Sequence, residues 1–319
     1  MYICTKFKLN MIALGIDWNP SPELFKIFGF PIRYYGLMFV IAFTLGIYLL
    51  KKIYRNEGVN EEHVDSIFLW VVIGTILGAR LGEVFFYSWD SFKDRPFVEI
   101  FLPIQLHPFK IVGFQGLASH GAAIGVILSM YLYSRKYKYK PLIWILDRIV
   151  IPVAIGGAFV RIGNLMNSEI VGKPTGTNFG FKFFRHHYRN SDALRITGKN
   201  DVNEAFNLIQ NGANFQKFRD LVPYRYPTQI FEALGYVMVF LILWYVYWKT
   251  DKRKKPGYIF GLFMVLLWTV RFIIEFFKAS QGGIESDFNL GLTTGQLLSI
   301  PMVLIGFYFM FRPTKGIKI

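Results

Sequence analysis

Arg161 and Asn164 lie three residues apart where a long apolar run ends, and Asn167 and Glu169 follow them. On a helix, positions i and i+3 share a face. An arginine in hydrocarbon costs about 2.5–3.5 kcal/mol on insertion scales, so it is rarely idle there. A guanidinium fork flanked by amides grips a phosphate oxygen at two or more points. The chemistry these residue types suggest is therefore the holding of a phosphate group. The alternative is an arginine snorkelling to the surface from a helix end, with asparagine as its cap.

Further polar side chains interrupt the other apolar stretches: Tyr35, Arg80 and Glu83, His120 beside Gly121, Gln229 and Glu232, Arg271 and Glu275, and Gln296. Arg80 with Glu83 (i, i+3) and Arg271 with Glu275 (i, i+4) have a second reading, in which each pair neutralises itself along its own helix. His120 stands among Gly116, Gly121 and Gly125. An unperturbed histidine, with a pKa of about 6.5, is a useful base near neutral pH. Small residues at spacing four also mark close helix packing, where a histidine simply bonds a neighbour. The His, Asp and Glu residues show no metal-ligand spacing such as H-x-x-x-H, so neither a metal nor another cofactor is expected.

The elements that must position these groups are membrane spans. Apolar residues make up 53% of the 319 and charged residues only 18%, with a mean hydropathy of +0.34. That composition belongs to a polytopic membrane protein. Runs long enough to cross about 30 Å of hydrocarbon fall near 33–50, 66–88, 113–134, 141–163, 227–248, 257–277 and 294–311. The expected fold is all-α: seven transmembrane helices, with a small head on the outer face between spans four and five. The chain reads as one membrane domain, 1–319, with 164–226 as an outer-face insertion in which DVNEAFNLIQ has helical spacing. Residues 11–32, aromatic and mixed in polarity, suit a segment lying at the membrane surface.

Four basic clusters set the orientation: Lys51, Lys52 and Arg55; Arg135, Lys136, Lys138 and Lys140; Lys249 with 252–255; and Arg312, Lys315 and Lys318. With seven spans all four fall on one side, which the positive-inside rule makes the cytoplasm. The N-terminus is then outside and the C-terminus inside. Under this topology the polar groups named above gather in the outer layer of every span, and the inner halves are mostly apolar. A shared cavity toward the outer leaflet accounts for such a layer better than independent snorkelling events. The net charge of +15 follows from the loop clusters. No basic helix or Cys/His finger points to nucleic acid. The single cysteine, Cys4, has no evident base beside it and reads as incidental.

The residues from Arg161 onward, R-I-G-N-L-M-N-S-E-I-V-G, resemble the core motif R-I-G-N-x-x-N-x-E-x-x-G of the prolipoprotein diacylglyceryl transferase family. The motif spans Arg161, Ile162, Gly163, Asn164, Asn167, Glu169 and Gly172. Val160 and Leu165 stand where the pattern usually has Gly and Phe. The resemblance extends to Tyr34, Tyr35, Gly36, Leu37 and Met38, and to Gly78, Ala79, Arg80, Gly82 and Glu83. It includes His120, Gly121 and Gly125, with Ala122 in place of a glycine. It continues at Tyr226 (where the pattern has His), Pro227, Thr228, Gln229, Phe231 and Glu232; at Arg271, Glu275, Phe276 and Lys278; and at Gly295, Gln296, Leu298, Ser299, Pro301 and Met302. It covers about residues 30–311.

The resemblance implies a bacterial inner-membrane enzyme. Its partners would be phosphatidylglycerol and a prolipoprotein signal peptide bearing a lipobox cysteine. The diacylglyceryl group would pass to the cysteine thiol, and glycerol phosphate would leave. His120, Arg161 and Arg271 would then be catalytic. Tyr35, Arg80, Glu83, Gly121, Asn164, Asn167, Glu169, Gln229, Glu232, Glu275 and Gln296 would bind substrate. A lipid transporter or flippase is the reading from another class, but neither two related halves nor a midplane site is evident.

Overall fold

The computed structural model describes residues 15–27, 30–86, 88–93, 95–96, 98–99, 104–106, 110–111, 118–279 and 292–313. Helix dominates. The long helices are α1 Tyr34–Asn56, α2 Glu62–Phe86, α4 Ser119–Lys136, α5 Leu142–Met166, α10 Thr228–Lys249, α11 Tyr258–Glu275 and α12 Thr294–Phe311. Short helices α3 Trp89–Phe92, α6 Phe184–His187, α7 Asn190–Thr197, α8 Val202–Asn211 and α9 Gln216–Leu221 lie between them. Six of the long helices are long and apolar enough to cross a membrane: α1, α2, α5, α10, α11 and α12. The chain is thus a polytopic, mainly helical membrane protein. The expected span 113–134 coincides with α4, which is not among the six. Its last turn carries Arg135 and Lys136, which lower its hydropathy.

The chain divides into two compact units. One comprises Met1–Thr44, Val153–Thr250 and Gly261–Arg312, and the other Leu45–Pro152, Asp251–Phe260 and Pro313–Ile319. In the second unit α2 and α4 pack glycine to glycine. A Cβ on Gly82 would stand 2.7 Å from the Cα of Gly121, and one on Gly125 would stand 2.8 Å from the Cα of Gly78. Glycines at spacing four on both helices allow this approach of two backbones. The Ala118 amide also donates to the Ala79 carbonyl at 3.1 Å.

The same unit also buries two charged residues within an expected span, 141–163. Asp147 and Arg148, near the start of α5, are both buried. The Asp147 carboxylate accepts from the Gly257 amide at 2.7 Å and the Phe260 amide at 2.8 Å. It thereby caps α11, where unpaired amides and the positive end of the helix dipole favour an anion. Arg148 donates to Glu57 at 2.9 Å. The charges pair with one another or with helix ends, so their burial needs no ligand.

In the first unit strand β4, Gly180–Phe183, is central to a small sheet. It pairs in parallel with β1, Gly15–Trp18, and antiparallel with β5, Tyr224–Arg225. Strand β1 is followed by the antiparallel pair of β2, Glu23–Ile27, and β3, Phe30–Arg33. Trp18 anchors the sheet to the end of α5 by donating to the Leu165 carbonyl at 2.9 Å. It packs on the cluster of Leu165, Val171, Phe181 and Phe183. The segment between spans four and five has its own core of Phe184, Ala193, Ala205, Phe206, Ile209 and Val222. The helix expected from DVNEAFNLIQ is α8, capped by Asp201, which accepts from the Glu204 amide at 2.8 Å.

Candidate active site

The first unit assembles a polar cluster from the ends of α1, α5, α10, α11 and α12. It begins at the end of α5, where Arg161 and Asn164 share a face as their spacing requires. Arg161 Nη1 donates to Asn164 Oδ1 at 3.2 Å. Asn164 Nδ2 donates to Glu169 Oε1 at 2.7 Å, and Asn167 Nδ2 reaches the same oxygen at 3.4 Å. Glu169 is brought back toward the helix it follows by an unusual backbone. Ser168 and Ile170 have φ of 55° and 57°, the left-handed region that a β-branched residue adopts only under constraint.

The constraint comes from the start of α10. Thr228 Oγ1 donates to the Ile170 carbonyl at 3.0 Å, and Gln229 Nε2 donates to the Glu169 carbonyl at 2.7 Å. Thr228 and Gln229 are both buried. Two side chains on one helix thus hold the strained turn that aims the Glu169 carboxylate at the two asparagine amides.

Glu232, one turn along α10, brings charge to the same place. Its Oε2 lies 2.8 Å from Arg161 Nε but accepts no aligned hydrogen bond. The contact is one of charge, so the guanidinium is not locked in a fork by it. Tyr236, a further turn along, puts its ring 6.0 Å from the Arg161 guanidinium carbon. Lys278, buried just beyond α11, lies 3.8 Å from Glu232 Oε1 and 3.8 Å from Glu275 Oε2. Burial pushes the Lys278 ammonium below its ordinary pKa, against the pull of those two carboxylates.

Arg271 does not take up its Glu275 neighbour. Among the described residues its guanidinium meets the ring of Trp268 at 5.2 Å, and Glu275 turns to Lys278 instead. The reading in which Arg271 and Glu275 neutralise each other along α11 is not the arrangement adopted. Gly295 leaves room for the Glu275 carboxylate, since a Cβ there would stand 2.6 Å from its Cδ. Gln296 sits in a capping box at the start of α12, accepting from the Thr293 amide at 3.0 Å. Three buried amide atoms find no partner among the described residues: Asn167 Oδ1, Gln229 Oε1 and Gln296 Nε2. Unspent hydrogen-bonding capacity beside two arginines is what a polar ligand would use.

The model of the prolipoprotein diacylglyceryl transferase family matches residues 22–312, a stretch that contains every residue of this cluster. The chain belongs to that family. It is 35% identical over 306 residues to the phosphatidylglycerol–prolipoprotein diacylglyceryl transferase of Bacteroides fragilis, covering 95% of this chain and 97% of the relative. Similarity to the enzyme of that name from Porphyromonas gingivalis is 37% over 309 residues, covering 94% and 95%. For the one from Chloroherpeton thalassium it is 34% over 302 residues, covering 94% and 95%.

In this diacylglyceryl transferase family member the remaining sequence-predicted positions divide between the units. Tyr35 joins the cluster: its ring abuts Gly163, and its hydroxyl is within reach of Asn164. Arg80, Glu83, His120 and Gly121 belong to the other unit. Arg80 is buried, donates to the Glu99 carbonyl at 3.0 Å and stacks 4.7 Å over Phe92. Glu83 accepts from Ser88 at 2.9 Å. Gly121 is the contact point with Gly82, and His120 lies in the first turn of α4, with its side chain outside the described residues. Cys4 also lies outside them.

Sequence reasoning passed over Tyr236 and the turn at 168–170 as parts of the cluster. It placed Thr228 and Lys278 in motifs without giving them a role. Lys278 was findable, since it follows Glu275 by three residues, a spacing at which opposite charges commonly meet. Nothing in the types Ser and Ile marks a left-handed turn. Among the described residues no group of three His, Cys, Asp or Glu is placed to hold a metal ion.

Proposed function

We infer that this chain transfers the diacylglyceryl group of phosphatidylglycerol to the lipobox cysteine thiol of a prolipoprotein, releasing glycerol phosphate. The observation that carries the reading is the coincidence of near-full-length similarity to enzymes of that printed name with a buried cluster suited to a phosphate. Two arginines stand there, one whose carboxylate contact is not an aligned hydrogen bond and one with no carboxylate partner among the described residues.

The sulfur attacks the glyceryl carbon that carries the phosphate ester. A carbon–sulfur bond forms, the carbon–oxygen bond breaks, and the electron pair leaves on the phosphate. That oxygen gains negative charge as the bond breaks. Cations fixed beside it therefore stabilise the transition state more than the ground state. Arg161 and Arg271 take this role. Asn164, Asn167, Glu169, Gln229, Glu232, Glu275, Gln296 and Tyr35 shape the pocket around the headgroup. A free thiol has a pKa of about 8.5, so a base or cationic surroundings must help form the thiolate. His120 is the proposed base, and Arg80, Glu83 and Gly121 complete the lipid-binding set.

The proposed topology has seven spans with α4 as the third, the N-terminus outside, the C-terminus in the cytoplasm and 164–226 as an outer-face insertion. The basic clusters support it. The test is purified protein in detergent with phosphatidylglycerol and a lipobox peptide, read by product mass spectrometry. Formation of the thioether with loss of glycerol phosphate is expected. Lipid movement across vesicles without thioether product would replace this reading with a transporter.

A further inference from the structure

Lys278 carries no role in the chemistry above, yet it sits where three charges meet. Its ammonium is buried and stands 3.8 Å from a carboxylate oxygen of Glu232 and 3.8 Å from one of Glu275. Both contacts are too long for a hydrogen bond, so the lysine acts on them as a point charge. Its place is fixed by backbone. Lys278 bridges antiparallel to Gly172, three residues after Glu169. The Lys173 amide donates to the Phe277 carbonyl at 2.8 Å, and the Ala279 amide to the Val171 carbonyl at 3.2 Å. The lysine is therefore stitched to the same strained segment that carries Glu169.

Glu275 has two cations within helical reach, Arg271 four residues before it and Lys278 three residues after it. The structure shows which one wins: Glu275 is with Lys278, and Arg271 lies against Trp268. Glu232 is likewise shared between Lys278 and Arg161. Resting on the proposed function, we propose that Lys278 is a positioning residue. It holds Glu275, and so keeps the guanidinium group of Arg271 open to the phosphate of the lipid. Without it, Glu275 turns to Arg271, and an internal carboxylate occupies the fork that the lipid phosphate needs. The lysine thus sets how well the site takes an anionic headgroup without touching the reacting atoms.

The test compares wild type, Lys278→Met, Lys278→Arg, Glu275→Gln and the double variant Lys278→Met with Glu275→Gln, all purified as full chains. Thioether formation by wild type is measured first, so failure of the transferase reading shows there and not in the variants. If wild type makes no thioether, the dissociation constant for phosphatidylglycerol is compared across the same five proteins.

Lys278→Met is expected to raise KM for phosphatidylglycerol about tenfold, in the range of coupling between neighbouring charges, with a smaller change in kcat. Lys278→Arg keeps the charge and stays near wild type. Adding Glu275→Gln to Lys278→Met removes the competing carboxylate and brings KM back down. If Lys278→Met inserts poorly, Glu275→Gln and the double variant decide the matter, and their KM values should agree. A merely structural lysine predicts losses that add, a fall in kcat at unchanged KM, or no rescue by arginine. Any of these overturns the proposal.

Discussion

Gly163 lies directly beneath the ring of Tyr35: a Cβ at this position would stand 2.7 Å from Tyr35 Cδ2 and 3.4 Å from its Cα. The glycine sits between Arg161 and Asn164 in the sequence, so the first turn of α1 is seated on the turn of α5 that carries both. No side chain fits that gap without moving α1 or the tyrosine. Gly163→Ala is expected to insert normally but to lose at least tenfold in turnover, as misplacement near a reacting centre commonly costs. Turnover near wild type would mean that the position of Tyr35 is unimportant.

Arg161→Lys and Arg271→Lys keep the charge and lose the planar fork. Each is expected to lower turnover roughly 10²-fold, the loss typical when one donor to a developing oxyanion is removed. The measurement is steady-state kinetics on detergent-purified protein with a normal melting profile. Near-normal rates in both variants would return these residues to ion-pair and cation–π roles.

His120→Gln retains hydrogen bonding but cannot take a proton. A base at this position commonly contributes about 10²–10⁴ in rate. The variant should bind phosphatidylglycerol and turn over slowly, regaining rate as alkali ionises the peptide thiol directly. An unchanged rate at neutral pH would leave thiolate formation to the surrounding cations.

The orientation is open to a direct measurement. A reporter fused after Ile319 should give a cytoplasmic signal, and one inserted near Asn200 an external one. The second site lies between α7 and α8, where an insertion spares the small core around Phe206. Opposite signals would invert the topology.

Much of the cluster was legible because helical spacing is a local property. Arg161 and Asn164 were expected to share a face and are hydrogen-bonded. The apolar runs and the spacing in residues 201–210 gave the helices for the same reason. The rest depended on contacts between distant segments. Ser168 and Ile170 adopt left-handed backbone because Thr228 and Gln229 hold the carbonyls of Ile170 and Glu169. Residue type alone argues against that conformation. The partner of Glu275 had two candidates at helical spacing, and only the bridge of Lys278 to Gly172 decides between them. The strand at 15–18 reads as a mixed surface segment because its partner, Gly180–Phe183, lies far along the chain.

The burial of Asp147 bears on how the protein is made. Its carboxylate is satisfied by amides of Gly257 and Phe260, which leave the ribosome long after Asp147 itself has been handed to the insertion machinery. Until α11 arrives, α5 carries a charge, at a cost of about 2.5–3.5 kcal/mol if it sits at mid-membrane depth. The helix bearing Arg161 therefore gains these partners for its carboxylate only once the helix bearing Arg271 is in place. A truncation that stops short of Gly257 would remove both amides and leave the Asp147 carboxylate with the Arg148 guanidinium at 3.7 Å.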